Sequence, residues 1–494
     1  MTLSHARKHK NERIAKYKEY TEATMTNYNL WDMSVWEFFF ALTVLFAAML
    51  VANALIRGIK GLRKMLIPAS VLGGFLLLIA FSVYRKITGE AMVSSFTLEM
   101  LTYHGLGIGC TAIALKGGNK DKNPHTQRDI FNSALVTTSS YCLQAIIGLA
   151  IALALSFVIK SVYAPSGMLV PMGYGQGPGQ AYNWGHTYEQ SWGFTNGTSF
   201  GLTVSSAGFI ACSIGGVIFL NIMRKKGNPK ATSRIGEDII EEIKVEDFAG
   251  RDDVPMSDSL DKLTIECAIV FITYAIAFAL TLVLSKLCDI SGVGLLINTV
   301  KPLLWGFNFI FAALGALVTK KFIGGLEKKQ IIKKKYINDL FMDRIAGVFF
   351  DLMIVASISA INLEAFKRPE FVLPLTLMCV AAGIATFYFV EHTTKLLFPT
   401  YSEESFLVMY GMLTGVIGTG IILLRQIDPK FETPASNNVV FQTLWACLTG
   451  FPLLLLMGFT PRPGWVPITL GILVVGFAAF YLWIRLAAKK VAKD

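Results

Sequence analysis

Residues 170–192, VPMGYGQGPGQAYNWGHTYEQSW, decide the fold of this chain. The stretch holds five glycines, two prolines, three glutamines and one asparagine, and it lies between apolar runs long enough to cross a membrane. Glycine and proline interrupt a helix and leave backbone N–H and C=O groups without intrahelical partners. Hydrocarbon accepts such groups only where protein buries them or where they line a water-filled cavity. The stretch therefore predicts a permeation or substrate site inside a membrane protein.

A second segment of the same kind follows at residues 408–426, VMYGMLTGVIGTGIILLRQ. It is too short and too interrupted by glycine to cross a membrane as a plain helix. We interpret residues 165–193 and 405–426 as two re-entrant hairpins or discontinuous helices. Broken helices at corresponding positions of two halves are typical of secondary transporters.

The composition indicates an integral membrane protein. Hydrophobic residues make up 53% of the chain, charged residues 16%, and the mean hydropathy is +0.52, whereas soluble domains carry roughly 25% charge. The net charge of +11 comes from basic residues in short loops beside apolar runs, a pattern typical of cytoplasmic loops rather than of nucleic-acid binding. The seven cysteines are scattered without a CxxC pair, which predicts free buried thiols and no transition-metal site.

Eleven apolar runs predict an all-α fold of about eleven transmembrane helices. They lie near residues 36–56, 65–83, 96–115, 132–159, 200–223, 263–285, 295–319, 343–362, 371–391, 435–459 and 465–484. A polar tail (1–35) precedes them, and a hydrophilic loop (224–262) separates a first half (36–223) from a second half (263–459). Residues 460–494 add one extra span and a basic tail.

The distribution of lysine and arginine predicts a cytoplasmic C-terminus and an external N-terminus. Five basic loops agree on this orientation, and the basic N-terminal tail opposes it. Each half contains five spans and one broken segment. Because five is odd, the second half enters the membrane inverted relative to the first, and the two hairpins enter from opposite sides. The expected architecture is a pair of inverted repeats whose broken segments meet near the midplane.

The broken segments and the helix starts after them supply the candidate site residues. Freed backbone N–H groups suit a carboxylate, and backbone, amide or hydroxyl oxygens suit Na⁺. The predicted substrate contacts are Gly175, Gln176, Gly177, Gln180, Thr414, Gly418, Thr419, Arg425 and Asn438. The predicted Na⁺ contacts are Gly173, Asn196, Thr198, Ser205, Asp351 and Asn437. Helix capping and helix–helix hydrogen bonds are the alternative roles for the polar residues at the helix starts.

Three ionisable residues have alternative interpretations. Arg425 would clamp a substrate carboxylate in bidentate fashion, pair with Asp428 or Glu432, or reach the membrane interface. Asp351 and His104 are isolated in apolar runs, and ionisable groups at such positions are functional candidates. We interpret Asp351 as a cation ligand or a structural partner, and His104 as structural.

Several motifs, taken in order, carry a family resemblance. They are Pro68 with Gly73 and Gly74, GLGIGCTAIALKGG at 105–118, GYGQGPGQA at 173–181 and GTGIILLRQIDPKFETPASNN at 418–438. Together they resemble the bacterial sodium:glutamate symporter family over residues 36–460. Family members carry a GGHGT-like sequence in the first hairpin, where this chain has GYGQG at 173–177. The extra tail, the central loop and the eleventh span also depart from the family's core.

The resemblance implies Na⁺-coupled uptake of glutamate or a related acidic amino acid, with Na⁺ as coupling ion and no other cofactor. It further implies a homodimer with scaffold and transport domains, an elevator-like movement and a location in the bacterial inner membrane. A different organic anion, or coupling to protons, remains an alternative.

Two other classes of function are disfavoured. A channel filter is normally repeated by oligomer symmetry, whereas this chain carries two different broken segments. An enzyme would need a nucleophile–base pair or metal ligands, and we identify neither an HExxH motif nor a GxSxG or GxGD-like pair. The predicted partners are therefore a small anionic substrate, Na⁺ and membrane lipid, with no nucleic acid.

Overall fold

The computed structural model describes residues 29–117, 123–228, 230, 256–294, 296–331 and 337–492. All regular structure in these ranges is helical, which confirms the predicted all-α class. The first half contains α1 (Met33–Gly58), α2 (Lys60–Lys64), α3 (Ala69–Thr88), α4 (Ser95–Leu115), α5 (Pro124–Val158), α6 (Leu169–Tyr174), α7 (Pro178–Trp192) and α8 (Gly197–Lys225). A 3₁₀ turn (Ala164–Met168) precedes α6. Most of the predicted N-terminal tail and of the central loop lies outside the described residues.

The remainder of the described chain contains ten further helices, the last of which is the extra C-terminal span. They are α9 (Met256–Ser291), α10 (Lys301–Gly306), α11 (Asn308–Lys328), α12 (Asp339–Ser359), α13 (Pro369–Leu397), α14 (Ser402–Thr414), α15 (Ile417–Leu424), α16 (Ala435–Phe441), α17 (Thr443–Phe459) and α18 (Trp465–Val491). A π-helical turn (Leu296–Val300) precedes α10, and a 3₁₀ turn (Leu363–Lys367) precedes α13.

Nine helices in the described part of the chain are long and apolar enough to cross a membrane. The count rises to ten if α16 and α17, which are bent by 50° against each other, form one span. These helices confirm the membrane class. The remaining predicted span, 343–362, corresponds to α12, which is more polar because Asp343, Arg344 and Asp351 lie on it.

Two predicted spans differ from the helices that form. The predicted span 295–319 is divided, because the backbone leaves helical geometry at Phe307, between α10 and α11. The predicted span 65–83 begins only at Ala69, with the extended Pro68 as its N-cap. Proline is tolerated at a helix start and not inside the helix, so it fixes this boundary.

Two groups of helices make up the packing. In one group, α1 packs on α3, α9 on α11, and α4 on α12, with α3 against α12 and α11 against α4. In the other group, α5 packs against α13, α17 and α18, and α14 against α13. Glycine permits the closest approach in the first group: a Cβ atom on Gly105 of α4 would lie 2.9 Å from the carbonyl oxygen of Phe349 on α12.

Replacing Gly148 with alanine is expected to destabilise the protein. Its added Cβ would lie 2.2 Å from the carbonyl oxygen of Gly167 in the 3₁₀ turn, and overpacking of this kind costs about 1–3 kcal/mol. Thermal unfolding of the purified protein in detergent measures the effect. Gly476→Ala is the control, because its Cβ would meet open space in α18 and alanine favours a helix. Equal unfolding temperatures for the two variants would contradict the packing described here.

Candidate functional site

The first broken segment (residues 164–193) leaves the end of α5, is interrupted, and returns. Helix α6 ends at Tyr174, and α7 starts at Pro178. Between them, Gly177 has φ +84° and ψ −175°, a conformation essentially restricted to glycine. The ring of Tyr163, which precedes the segment, stacks on Phe194 at 4.6 Å between centroids. The two ends of the segment therefore lie side by side, and the interruption at 175–177 forms its tip.

The second broken segment (residues 402–425) folds back on itself more tightly. Helix α14 ends at Thr414, and α15 returns along it so closely that a Cβ on Gly420 would lie 2.2 Å from the Val408 carbonyl oxygen. The Thr419 hydroxyl donates to the Gly411 carbonyl (2.8 Å) and accepts from the Val416 N–H (3.0 Å). This side chain therefore stabilises the turn at 415–416, which forms the second tip.

The two tips touch each other. A Cβ on Gly177 would lie 2.9 Å from Cγ1 of Val416 and 3.6 Å from the carbonyl oxygen of Gly415. Helix α8 passes beside this contact, since a Cβ on its Gly208 would lie 2.5 Å from the carbonyl oxygen of Thr414. The broken segments that the sequence places in separate halves thus meet at one point.

Helix α5 bonds to both tips from neighbouring positions. The Tyr141 hydroxyl donates to the carbonyl of Gly175 at 3.0 Å. The Gln144 amide nitrogen donates to the carbonyl of Leu413 at 2.9 Å and contacts the Thr386 hydroxyl of α13 at 3.1 Å. Backbone carbonyls that the interruptions free are thereby satisfied by side chains. Tyr141 and Gln144 are candidate site residues that the sequence alone did not indicate.

The elements that form the meeting point carry buried polar atoms without hydrogen-bond partners among the described residues. Gln180, in the first turn of α7, is 2% exposed, and neither its amide oxygen nor its amide nitrogen has a hydrogen-bond partner among the described residues. The hydroxyl of Ser205 and the amide oxygen of Gln144 are also buried without a hydrogen-bond partner among the described residues. An unpaired buried polar group costs about 1–3 kcal/mol. A bound polar ligand would remove this cost, so the site fits one.

The structure brings many of the predicted site residues to the tips. Those within or directly beside the two interruptions are Gly173, Gly175, Gln176, Gly177, Gln180, Ser205, Thr414, Gly418 and Thr419. Ser205 belongs to this group because its backbone nitrogen would lie 2.8 Å from a Cβ on Gly173. Gly418 is exposed at the start of α15, where solvent would reach the tip.

Other predicted residues lie elsewhere. Asn196 precedes Ser205 by nine residues, which is about 13 Å along α8. It has a left-handed φ of 60°, and its side chain makes no capping bond. The N–H of Thr198 is instead capped by the carboxylate of Glu189 at 2.9 Å. Helix capping by Asn196 is therefore wrong as an alternative role.

The two asparagines of α16 lie near the ends of the second broken segment. Asn437 is exposed. The Asn438 amide donates to the Tyr401 hydroxyl at 3.0 Å, and that hydroxyl donates to Asp129 of α5 at 2.6 Å. The helix α16 is capped by Pro434 without a side-chain bond. Neither asparagine lies at the tips.

The start of the second broken segment is anchored to residues that follow α8. Lys230 donates to Glu404 at 2.7 Å, and Asn228 donates to Glu403 at 2.8 Å. The hydrogen bond that Lys230 donates to Glu404 raises the pKa of this lysine above its ordinary value. These contacts hold the start of α14 against the chain that leaves α8.

Arg425 lies at the far end of α15 from the tip. The helix has eight residues, so the separation is about 12 Å. The alternative pairing with Asp428 or Glu432 is wrong, because no ion pair joins Arg425 to either in the described part of the chain. The Asp428 carboxylate instead accepts the backbone N–H groups of Glu432 and Thr433. The Arg425 guanidinium lies over the Phe431 ring at 5.2 Å, and its buried Nε has no hydrogen-bond partner among the described residues. An unpartnered guanidinium N–H favours an anion.

The two isolated ionisable residues do not face the tips. Asp351 is exposed on α12 beside Ser70 of α3. Met353, two residues further on, is the α12 side chain that faces Gly179 of α7, with its sulfur 2.9 Å from a Cβ built there. His104 shares a hydrogen bond of 2.9 Å with the hydroxyl of Tyr274, an arrangement that fits a structural role.

Catalytic and metal chemistry find little support in the described residues. The sequence GTSFG at 197–201 fits a GxSxG pattern that the sequence analysis overlooked, but that motif needs a strand-to-helix turn. Here it begins α8, and the Ser199 hydroxyl accepts the N–H of Asn362 at 3.1 Å.

No three His, Cys, Asp or Glu residues cluster as metal ligands in the described ranges. All seven cysteines are free and at least partly buried.

Comparison with known proteins identifies the family. The family model described as sodium/glutamate symporter matches residues 36–298, which is more than half of the 494-residue chain. The chain belongs to the sodium/glutamate symporter family. Membership of this symporter family implies a transporter rather than an enzyme, and it implies sodium as the coupling ion. No curated protein and no solved structure matches the chain.

The family match covers the first broken segment and ends before the second. It runs from α1 to the π-helical turn before α10. The matched range, 36–298, is therefore shorter than the range 36–460 over which the sequence motifs resemble the family. For this symporter-family chain, the part of the site contributed by α14 and α15 rests on the geometry of the structure alone.

Proposed function

We propose that this protein is a secondary active transporter that couples uptake of a small anionic substrate, glutamate or a related acidic amino acid, to Na⁺. The observation that carries the proposal is the contact between two interrupted helices beside the buried, unpartnered amide of Gln180. Interrupted helices that meet inside a membrane protein place freed backbone groups at a substrate site. Family membership supports Na⁺ as the coupling ion.

The helix contacts support an inverted-repeat architecture. The pair α1–α3 of the first half corresponds to α9–α11 of the second, and α4–α11 corresponds to α12–α3. The pairs α4–α12 and α5–α13 join corresponding helices to each other. An approximate two-fold axis that runs between these pairs would exchange the halves. We propose eleven spans on this basis, with the two hairpins entering from opposite sides and the C-terminus in the cytoplasm of a bacterial cell.

We propose a division of roles around the tips. The N–H groups freed at 175–177 and 415–416, together with Gln180, would bind the substrate carboxylate, and Ser205 with the freed carbonyls would bind Na⁺. Na⁺ binding would complete the site, so that the loaded carrier moves and the half-loaded carrier does not. The group that contains α5, α13 and both broken segments would move as an elevator against the group around α4 and α12, in a homodimer.

Flux measurements in proteoliposomes test the proposal. Each candidate anion is offered with an inward Na⁺ gradient, with equal Na⁺ on both sides, and with a proton gradient alone. Saturable accumulation that needs the Na⁺ gradient supports the symporter, and the preferred anion identifies the substrate. Accumulation driven by protons alone, or unsaturable flux down the gradient of the anion, would overturn it. Dicarboxylates belong in the screen because GYGQG replaces the GGHGT-like sequence of the family.

Replacing Arg425 with alanine is expected to abolish uptake while the protein still inserts into the membrane. Arg425 carries a buried Nε without a hydrogen-bond partner among the described residues at the end of the second broken segment, where we propose that it attracts the substrate carboxylate. Arg462→Ala is the matched control, because that guanidinium also lies over an aromatic ring, Phe459, at 5.1 Å. Sodium-driven uptake per inserted protein is the measurement. Normal uptake by the Arg425 variant would exclude this role.

A further inference from the structure

An apolar groove runs along the surface between α8 and α13. Its volume is about 490 Å³. The walls include Ala207, Ala211, Ile214, Gly383, Ile384 and Tyr388. The small residues create the hollow, and Ala211 meets Gly383 where a Cβ on the glycine would lie 3.5 Å away. Ile214 and Ile384 are 54% and 55% exposed at the rim. Both helices are candidate membrane spans, so the groove opens toward hydrocarbon.

The floor of the groove belongs to the two broken segments. Tyr174 of α6 and Tyr410 of α14 both line it. Their hydroxyls are already satisfied, since Tyr174 donates to the Cys379 carbonyl at 2.7 Å and Tyr410 to the Ala211 carbonyl at 3.0 Å. The floor therefore offers an occupant the edges of two nearly buried aromatic rings beside aliphatic side chains and the thiol of Cys379. An acyl chain fits these surroundings, and a polar solute does not.

The groove leads to positive charge at one membrane surface. Helices α8 and α13 run in the same direction. Ala211 of α8 contacts Gly383 of α13. Further along both helices, the rings of Phe219 and Phe387 lie 6.3 Å apart. Lys225 ends α8 and Lys395 lies in the last turn of α13. Both lysines are therefore at the same level of the membrane.

The two lysines lie on the faces of their helices that form the groove. Residues seven positions apart share a helix face. Lys225 lies seven positions after Ile218, and Lys395 lies seven positions after Tyr388. Both Ile218 and Tyr388 line the groove. Lys225 is exposed, and Lys395 bonds Glu391 at 2.6 Å while its side chain stays 59% exposed. Basic side chains at this depth attract anionic lipid headgroups.

We propose that the groove holds an acyl chain of an anionic phospholipid, whose phosphate lies at Lys225 and Lys395. The chain would contact Tyr174 and Tyr410 at once, and would thus support both broken segments from the lipid side. The proposal concerns lipid binding and does not rest on the transported substrate.

Photolabelling tests the proposal on the full-length protein in nanodiscs. The probe is phosphatidylglycerol with a photoactivatable group in one acyl chain, compared with the same probe built on phosphatidylcholine. Labelled peptides are mapped by mass spectrometry. We expect label in residues 207–218 and 379–388 from phosphatidylglycerol, and less from phosphatidylcholine.

Two variants and two controls make the outcome decisive. Ile384→Trp should fill the groove and remove the label, whereas Val475→Trp, at a 70% exposed position of α18, should not. Lys225→Ala with Lys395→Ala should reduce labelling about fivefold or more, whereas Lys489→Ala with Lys490→Ala should not. Label that persists in Ile384→Trp, equal labelling by both lipids, or a cross-link to a second copy of the chain through this groove would overturn the proposal.

Discussion

Replacing Gln180 with leucine is expected to abolish sodium-driven uptake and to leave the unfolding temperature unchanged or raise it. The amide is 2% exposed and has no hydrogen-bond partner in the described part of the chain. Replacing an unpaired buried polar group with an apolar one of similar size removes a desolvation cost of about 1–3 kcal/mol. Function and stability should therefore change in opposite directions. Uptake in proteoliposomes and thermal unfolding in detergent measure the two effects.

Gln144→Leu is the matched control for this variant. It removes an amide of the same size from the same region, but that amide donates to Leu413 and Thr386. Its loss leaves the Leu413 carbonyl unpaired, so we expect a lower unfolding temperature as well as lost uptake. If Gln180→Leu is destabilised as strongly as Gln144→Leu, the amide of Gln180 serves the fold and not a ligand. Wild-type uptake by Gln180→Leu would also contradict the proposed site.

Replacing Gly177 with alanine is expected to separate the two tips and to reduce uptake at least tenfold. The glycine has φ +84° and ψ −175°, and a residue with a Cβ pays about 1–3 kcal/mol there. The added Cβ would also lie 2.9 Å from Cγ1 of Val416. An increase of about 1.4 kcal/mol in the activation free energy of transport lowers the uptake rate tenfold. Initial rates of sodium-driven uptake provide the measurement.

The double variant Gly177→Ala, Val416→Ala separates the contact from the backbone strain. Removing Cγ1 of Val416 relieves the contact and leaves the strain, so uptake should recover in part. Gly193→Ala is a second control, because Gly193 also has a positive φ of 70° but its Cβ would meet open space. We expect Gly193→Ala to keep most of its uptake. An unchanged rate in Gly177→Ala would show that the tips need not touch for transport.

The positions of the interruptions could be predicted from sequence, because they depend on local chemistry. Gly175 and Gly177 directly before Pro178, and the glycines at 415, 418 and 420, weaken a helix locally. The contact between Gly177 and Val416 could not be predicted, because it depends on how helices from both halves pack. The break at Phe307 was also missed, since residues 295–319 read as one apolar run.

The supporting residues of the site had a weak signal that could have been used. Tyr141 and Gln144 lie in TTSSYCLQ, residues 137–144, a polar stretch in the middle of a predicted span. Polar groups at membrane depth usually bond to protein, and these two bond to the freed carbonyls. For Arg425, the sequence indicates the chemistry of the side chain but not its position in the fold. Its chemistry suggests a carboxylate partner, but only the structure places it one short helix away from the tip.

The spacing of Tyr141 and Gln144 has a mechanical consequence. The two residues are three positions apart, within one turn of α5, and each bonds to a different broken segment. Neither tip can slide along α5 without breaking its own hydrogen bond, yet breaking one leaves the other intact. The two tips therefore share one support in α5, and in the proposed elevator movement α5 would carry both of them together.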